Sequence, residues 1–344
     1  MANISKITPN ITKKEIITGK NIYSRIMWHS QDCITDELLT GLLGKPLNNA
    51  EHAKKEQLLR ILSEFGVPKN ALSRIKNAKS LHELYISIID FPRFLAKKIL
   101  PKQKPQLKNK HSISLQEEQN IYKFRNFRTA CRREIYTTFS KKSTNPEVIK
   151  IENILKEKYG VQNASLGDDL ELGQRLLQAV KLAKSKGVKI PDEFIVTPFT
   201  LGAGEFMRLF KNGEEIRTVL LPPTSIRQRT LQIIDKIFNT MPPNIKQSYE
   251  KWQKFCGFKT HGSTNSPIHM EIHEMMHQTH PLLTAFAIKK IPNKFMPTVR
   301  KLSQYSAINE KNNWEIYTEL ATKKVLEGLE PDEAELFKFL GGDI

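Results

Sequence analysis

The sequence predicts an α+β protein, in which a mostly α-helical domain precedes a domain with a small sheet. The first observation is charge: residues 1–160 carry 30 Lys and Arg against 15 Asp and Glu, whereas residues 161–344 carry 24 against 21. The second is pattern, because strand-like runs begin to interrupt the helical ones near residue 166. We therefore expect a basic accessory or targeting domain at 1–165 and a second, nearly neutral domain with a small sheet at 166–344.

Helical spacing of apolar residues dominates the first half, and glycine or proline closes several of its segments. A Ser-x-x-Glu capping box, from Ser114 to Glu117, opens the last of them. We expect an exposed connection at the polar, basic stretch "PKQKPQLKNKHSIS". The predicted helices are "ITDELLTGLLG", "NAEHAKKEQLLRILSEFGVP", "NAKSLHELYISIIDFP", "PRFLAKKILP" and "SLQEEQNIYKFRNFRTACRREIYTTF".

The second half alternates helical and strand-like patterns. "DDLELGQRLLQAVKLAKSKG" opens with acids and closes with lysines, as the helix dipole favours. "KIPDEFIVTPF" predicts a strand, and "EFMRLFKNGEEIRTVLLPP" predicts two strands around Asn212-Gly213, a hairpin signal. Further helices are predicted at "SIRQRTLQIIDKIFNTMPP" and "NIKQSYEKWQKF", followed by a loop at "GFKTHGSTNSP".

Composition also excludes several classes of protein. No run reaches the roughly 18 apolar residues that a membrane span needs, so no transmembrane segment is predicted. The N-terminus, "MANISKITPN", has no apolar core of a signal peptide, so a cytoplasmic protein is expected. Cys33, Cys131 and Cys256 are far apart, which predicts reduced thiols rather than a shared metal site.

The stretch "PIHMEIHEMMHQTHP" contains four of the nine histidines. On a helix, His273 and His277 share one face and can bind a single ion, while Glu274 can reach a water beside it. This His-Glu-x-x-His spacing is the signature of zinc hydrolases, in which the carboxylate is the general base. It predicts Zn²⁺ as the cofactor; the alternative is a helix with fortuitous surface histidines.

His269 and His280 lie one turn before and one turn after this pair. We expect both on the surface, with accessory ligation or substrate contact as the alternatives.

A third ligand is required, because catalytic zinc normally takes three protein ligands and leaves one position for water. The extended pattern with a third histidine fails, since Leu283 occupies that position. In "NNWEIYTELATKKVLEGL", Glu315 and Glu319 stand one helical turn apart. One carboxylate can bind the ion and the other can accept a hydrogen bond from a ligand histidine. The alternative is an exposed acidic helix face.

A hairpin, a metal helix and then "SQYSAINEKNNWEIYTELA" resemble the gluzincin metallopeptidases of the anthrax lethal factor type, over roughly 194–329. The resemblance implies a zincin-like fold, with Glu315 as third zinc ligand, Glu319 as its supporting partner and Tyr305 steadying the oxyanion. The matching residues are Ser303, Tyr305, Asn312, Glu315 and Glu319.

Two positions depart from that family pattern. The gap from Tyr305 to Glu315 is longer, and Thr318 stands where the family has alanine. Tyr317 is therefore an alternative to Tyr305. In such enzymes an exposed edge strand pairs with the substrate backbone, and "EEIRTVLLP" or "EFMRLF" is that edge or an ordinary core strand.

The resemblance implies a zinc-dependent endopeptidase that acts on a protein substrate. It also suggests a bacterial effector or toxin that is secreted by a specialised system and cleaves host proteins. The alternatives are a nucleic-acid-binding protein or a protein-interaction protein with a structural or degenerate metal site.

The basic half suggests acidic partners. "YKFRNFRTACRREIYTTFSKK" interleaves arginines with aromatic residues, which suits nucleic acid, but an amphipathic helix with aromatics inward and arginines outward has the same pattern. "KKILPKQKPQLKNK" equally suits an anionic membrane or an acidic protein partner.

Overall fold

A computed structural model describes most of the chain in two compact units. The sheet unit comprises Ile34–Lys184 and Lys189–Gln228, and the histidine unit includes Ser185–Val188 and Arg229–Ile344. The predicted boundary between residues 165 and 166 thus falls within the sheet unit. The described residues are 20, 46–80, 83–84, 87, 115–197, 200, 204–211, 213–280 and 290–343.

Helices and a small sheet form the sheet unit, so the predicted α+β class is confirmed. Its helices are α1 (Asn49–Glu64), α2 (Lys69–Asn77), α3 (Leu115–Phe139), α4 (Pro146–Tyr159) and α5 (Leu170–Ser185). Its strands are β1 (Asn163–Ser165), β2 (Glu193–Val196), β3 (Glu205–Lys211) and β4 (Glu214–Leu221). The helix predicted at "ITDELLTGLLG", the connection at "PKQKPQLKNKHSIS" and Ser114 of the predicted capping box lie outside the described residues.

The four strands run in the order β1-β2-β4-β3. β1, β2 and β4 are parallel, and β3 pairs antiparallel with β4. The predicted strand at β2 and the predicted β3–β4 hairpin are therefore confirmed. Gly213 has a φ of +83°, a conformation that glycine adopts without strain; Asn212 lies outside the described residues.

One hydrophobic core joins the first three helices to one face of the sheet. The sheet contributes Ile195, Met207 and Leu220. Burying each such side chain stabilises the fold by about 1.5–3 kcal/mol. Because the N-terminal helices and the strands share this core, they belong to one unit. The helical residues buried there include Leu58, Leu62, Leu72, Ile75, Cys131, Ile135, Tyr136 and Phe139.

Helix α3 carries the arginine-rich aromatic stretch. Tyr136 is buried in the core, as the amphipathic interpretation requires. However, Arg133 donates two hydrogen bonds to Glu193, and Arg132 lies 2.5 Å from Glu205. These two arginines, expected outward in the amphipathic interpretation, are thus paired with carboxylates of the sheet.

Asn126 of α3 contacts the edge strand. Its Nδ2 donates to the carbonyl of Phe210 at 2.7 Å, and the N–H of Phe210 donates to its Oδ1 at 2.8 Å. β3 is the edge, whereas β4 lies between two strands, so "EEIRTVLLP" is a core strand. We name this pair of hydrogen bonds the Asn126 clamp.

The histidine unit is built from helices and loops in the described part of the chain. Its elements are α6 (Thr224–Asn239), α7 (Pro243–Cys256), α8 (His269–Met276), α9 (Met296–Leu302), α10 (Gln304–Ile308), α11 (Asn313–Leu326) and α12 (Pro331–Phe339), with 3₁₀ turns at His277–Thr279 and Asn293–Phe295. The predicted helices at α6, α7, α8 and α11 and the loop before α8 are confirmed.

Two cysteines fall among the described residues, and both are free thiols in the interior. Burial raises the pKa of Cys131 and of Cys256 to about 12, so both are protonated at neutral pH. No helix in the described ranges is long and apolar enough to cross a membrane.

Candidate metal centre

Helix α8 presents the paired histidines as predicted. His273 lies within the helix, and His277 follows its last residue with helical φ and ψ of −54° and −27°. The planes of the two rings make an angle of 87°, so the rings meet edge to face, with centroids 4.9 Å apart. Both side chains are buried, so the alternative of fortuitous surface histidines is wrong.

Helix α11 packs against α8 and brings Glu315 to both rings. Glu315 Oε2 lies 3.4 Å from His273 Nε2 and 3.6 Å from His277 Nε2. An ion bound tetrahedrally at about 2.0–2.2 Å separates its ligand atoms by about 3.3–3.6 Å. The distances from Glu315 Oε2 to the two Nε2 atoms are therefore close to the spacing that a single small cation requires.

Glu315 Oε2 is shielded from solvent, and no described residue donates to it with regular hydrogen-bond geometry, although His273 Nε2 lies 3.4 Å away. A buried carboxylate oxygen without a donor is costly, and a cation between the three atoms would satisfy it. The residues present thus fit a small divalent cation bound by nitrogen and oxygen.

Glu274 lies beside this position. One of its oxygens is 4.0 Å from His277 Nε2, farther than the Glu315 oxygen. Ligand atoms of His273, Glu274 and His277 all lie within 4.8 Å of one another. The Glu315 oxygen is thus 0.4 Å closer to His277 Nε2 than the Glu274 oxygen is, and both carboxylates lie beside the paired rings.

The carboxylates determine the charge of the two rings. Burial disfavours a charged ring at His273, but Glu315 and Glu319 outweigh burial and hold its pKa above the ordinary value. Burial and the nearby His273 hold the pKa of His277 below its ordinary value. Burial favours the neutral acid at Glu315, yet the two histidines hold its pKa below the ordinary value. The pocket therefore attracts positive charge.

Glu319 supports His273 from the side opposite Glu315. Its Oε1 lies 3.0 Å from His273 Nδ1, and its Oε2 accepts the backbone N–H of Ser263 at 2.6 Å. Ser263 Oγ also donates to the Glu319 carbonyl, at 2.8 Å. Glu319 is 2% exposed, so the alternative of an exposed acidic face is wrong for this residue.

Charged partners explain the state of Glu319. Burial favours its neutral acid, but hydrogen bonds with His269 and His273 hold its pKa below the ordinary value. Its carboxylate can therefore accept a hydrogen bond from a proton carried on His273 Nδ1, 3.0 Å away.

The two flanking histidines are not plain surface residues. His269 Nε2 lies 3.4 Å from Glu319 Oε1, and its Nδ1 is 3.1 Å from Thr264 Oγ1. The expectation of a surface position is wrong for His280, which is buried and stacks on Trp314 with ring centroids 4.5 Å apart.

The structure separates the two candidate tyrosines. The ring of Tyr305 lies 6.0 Å from that of His273, centroid to centroid. Burial and then the charge of Glu315 raise the pKa of Tyr305, so its hydroxyl is protonated and can donate. Tyr317 instead donates its hydroxyl to the carbonyl of Thr279 at 3.0 Å. Tyr305 is therefore the tyrosine beside the site.

The segment from residue 260 to 266 was predicted to be a loop and was not assigned to the site, yet it contacts the site. Besides Ser263, the Gly262 backbone approaches His269 so closely that a Cβ there would lie 2.3 Å from its Nε2. The backbone N–H of Tyr305 donates to the carbonyl of His261 at 3.0 Å. The sequence carries one signal for this approach, the glycine itself.

Two residues of α11 next to Glu315 were also missed as site residues. Trp314 Nε1 donates to His277 Nδ1, and Thr318 Oγ1 lies 3.0 Å from the same nitrogen. Their four-residue spacing on one helix was visible in the sequence, but nothing local directed them to His277.

Comparisons of the chain with protein-family models, curated proteins and solved structures found no significant match. The geometry of the site is thus what bears on function.

Proposed function

We propose that this protein is a zinc-dependent endopeptidase with a zincin-like catalytic centre in the histidine unit. The observation that carries the proposal is the convergence of His273 Nε2, His277 Nε2 and Glu315 Oε2, at 3.4 and 3.6 Å, around an otherwise unsatisfied buried oxygen. Two imidazoles and one carboxylate are the ligand set of catalytic rather than structural zinc sites.

Zinc is the preferred ion for this ligand set, and when bound it would supply a Lewis acid that polarises a carbonyl and promotes ionisation of water. His273, His277 and Glu315 would hold it. The remaining steps belong to side chains of the chain itself.

Glu274 is the proposed general base. It lies beside the proposed ligand atoms but farther from His277 Nε2 than Glu315 does, which favours a role on a water over a role as a ligand. Its carboxylate takes a proton from the water that attacks the scissile carbonyl carbon. It then delivers that proton to the amine nitrogen as the carbon–nitrogen bond breaks.

Tyr305 is the proposed donor to the oxygen that gains negative charge. Its hydroxyl stays protonated because burial and Glu315 raise its pKa. A donor of this kind contributes about 10²–10³-fold to the rate.

Metal analysis joined to substrate profiling tests the proposal. We expect purified wild type to bind one zinc ion per chain and to generate new N-termini in a cell lysate. Glu274→Ala should retain the zinc and lose at least about 10²-fold in cleavage, since a general base contributes about 10²–10⁴-fold. Glu250→Ala, which removes an exposed carboxylate from α7, is the matched control and should resemble wild type in both measurements.

Normal cleavage by Glu274→Ala would refute the role of Glu274. Stoichiometric zinc without cleavage by wild type would favour an interaction module with a non-catalytic metal site. Absence of zinc together with salt-dependent retention on nucleic acid would favour the nucleic-acid-binding alternative.

A further inference from the structure

We propose that Thr318 is a positioning residue that selects the metal-binding tautomer of His277. The inference rests on the proposed zinc site and concerns a hydroxyl that stands where the resembled family has alanine. Each proposed ligand histidine then has its own hydrogen-bond acceptor. For His273 it is the Glu319 carboxylate, and for His277 it is the Thr318 hydroxyl oxygen.

The hydrogen bonds of Thr318 make its oxygen an acceptor. Thr318 is fully buried, and its hydroxyl donates its hydrogen to the carbonyl of Trp314 at 2.8 Å. The lone pairs of Oγ1 remain, and Oγ1 lies 3.0 Å from His277 Nδ1. An N–H at Nδ1 can therefore donate to Thr318.

Trp314 favours the opposite tautomer. The indole Nε1–H can only donate, and it points at the same Nδ1 atom of His277. While this bond exists, Nδ1 is unprotonated and the neutral ring carries its hydrogen on Nε2, the atom that faces Glu315. In this tautomer Nε2 cannot bind a cation.

Metal binding at Nε2 therefore requires the ring hydrogen to be on Nδ1. Trp314 Nε1 carries a hydrogen and can only donate, whereas Thr318 Oγ1 can accept the Nδ1 hydrogen. Metal binding thus replaces the Trp314 hydrogen bond of His277 with a Thr318 hydrogen bond. Hydrogen-bond acceptors behind metal-ligating histidines typically change metal affinity by about 10–100-fold.

Zinc affinity of three variants, measured by competition with a chromophoric chelator, tests the inference. Thr318→Val keeps the shape and removes the hydroxyl, so we expect its zinc Kd to rise about 10–100-fold. Thr318→Ser keeps the hydroxyl and should bind zinc nearly as well as wild type. Thr322→Val is the matched control, because Thr322 is also fully buried on α11 and its hydroxyl donates to the Thr318 carbonyl.

The protonation site of the His277 ring gives a second measurement. It would not change if Thr318 contributed only to packing. In ¹⁵N-labelled, zinc-loaded wild type, we expect the His277 ring to be protonated at Nδ1 and that proton to be protected from solvent exchange. In Thr318→Val the protection should be lost, whereas Thr322→Val should retain it.

Equal zinc affinity of wild type and Thr318→Val would overturn the inference, as would an equal loss in Thr322→Val. Zinc binding without peptidase activity would refute the proposed activity and leave the role of Thr318 intact. Absence of zinc binding by the wild-type protein would refute both the proposed activity and the role of Thr318. The wild type is therefore measured before any variant.

Discussion

Glu319 Oε1 lies 3.0 Å from His273 Nδ1, while the other oxygen of the same carboxylate accepts the Ser263 N–H. One buried side chain thus joins the metal helix α8 to the loop before it. The orientation of the His273 ring depends on both contacts, because the loop holds the carboxylate and the carboxylate holds the ring.

Replacing Glu319 with glutamine should weaken zinc binding by about 10–100-fold, because one acceptor oxygen and the negative charge behind His273 are lost. Chelator competition measures the change. Glu327→Gln alters an exposed residue immediately after the same helix and should leave the affinity unchanged. Equal affinities of wild type and Glu319→Gln would show that the carboxylate does not support the ligand.

His277→Ala should abolish the stabilisation that zinc confers on the fold. A ligand at 100 times its Kd stabilises the native state by about 2.7 kcal/mol, and without one imidazole the zinc site loses a ligand. Thermal unfolding with and without zinc measures the effect. His52→Ala removes an exposed histidine of α1 and should retain the zinc-dependent shift. A full zinc shift in His277→Ala would exclude this residue as a ligand.

Gly262→Ala should disturb His269, since the new methyl group would lie 2.3 Å from the ring nitrogen Nε2. The ring must move, and its 3.4 Å contact with Glu319 is then altered. We expect a loss of about 1–3 kcal/mol in the free energy of unfolding, measured by urea denaturation.

A double-mutant cycle shows whether the ring causes that loss. In a His269→Ala background the ring is absent, so Gly262→Ala should cost much less there than in wild type. Additive losses in the cycle would show that the methyl group destabilises the fold through a contact other than the one with the His269 ring.

Arg133→Met should destabilise the sheet unit by about 3–5 kcal/mol. The substitution leaves Glu193, whose side chain is 4% exposed, without its cationic partner. The double variant Arg133→Met with Glu193→Met should recover much of the loss, because no buried charge then remains. Glu171→Gln, which breaks an ion pair whose carboxylate side is 58% exposed, should cost less than about 1 kcal/mol in the same urea titration.

Features that follow from spacing along one helix were predictable from the sequence. His273 and His277, and likewise Glu315 and Glu319, share a helix face because residues four apart always do. The strands flanking Gly213 were equally visible, because a tight turn and alternating apolar residues are local signals.

Features that depend on which distant segments of the chain come together were not predictable from the sequence. Ser263 reaches Glu319 across 56 residues, and its hydrogen bond to that carboxylate leaves no local pattern. Strand β1 has three residues, too few for an alternation to be recognised. The ion pair of Arg133 with Glu193 likewise joins a helix to a strand 60 residues away, and no local pattern predicts it.

The Asn126 clamp has a consequence for behaviour at high concentration. A side-chain amide that both donates to and accepts from Phe210 reproduces what an adjacent strand would offer. A strand of a second molecule could pair with β3 at Phe210 only after displacing the Asn126 side chain. The clamp therefore acts as a guard against strand-mediated aggregation, a hazard that any unprotected sheet margin carries.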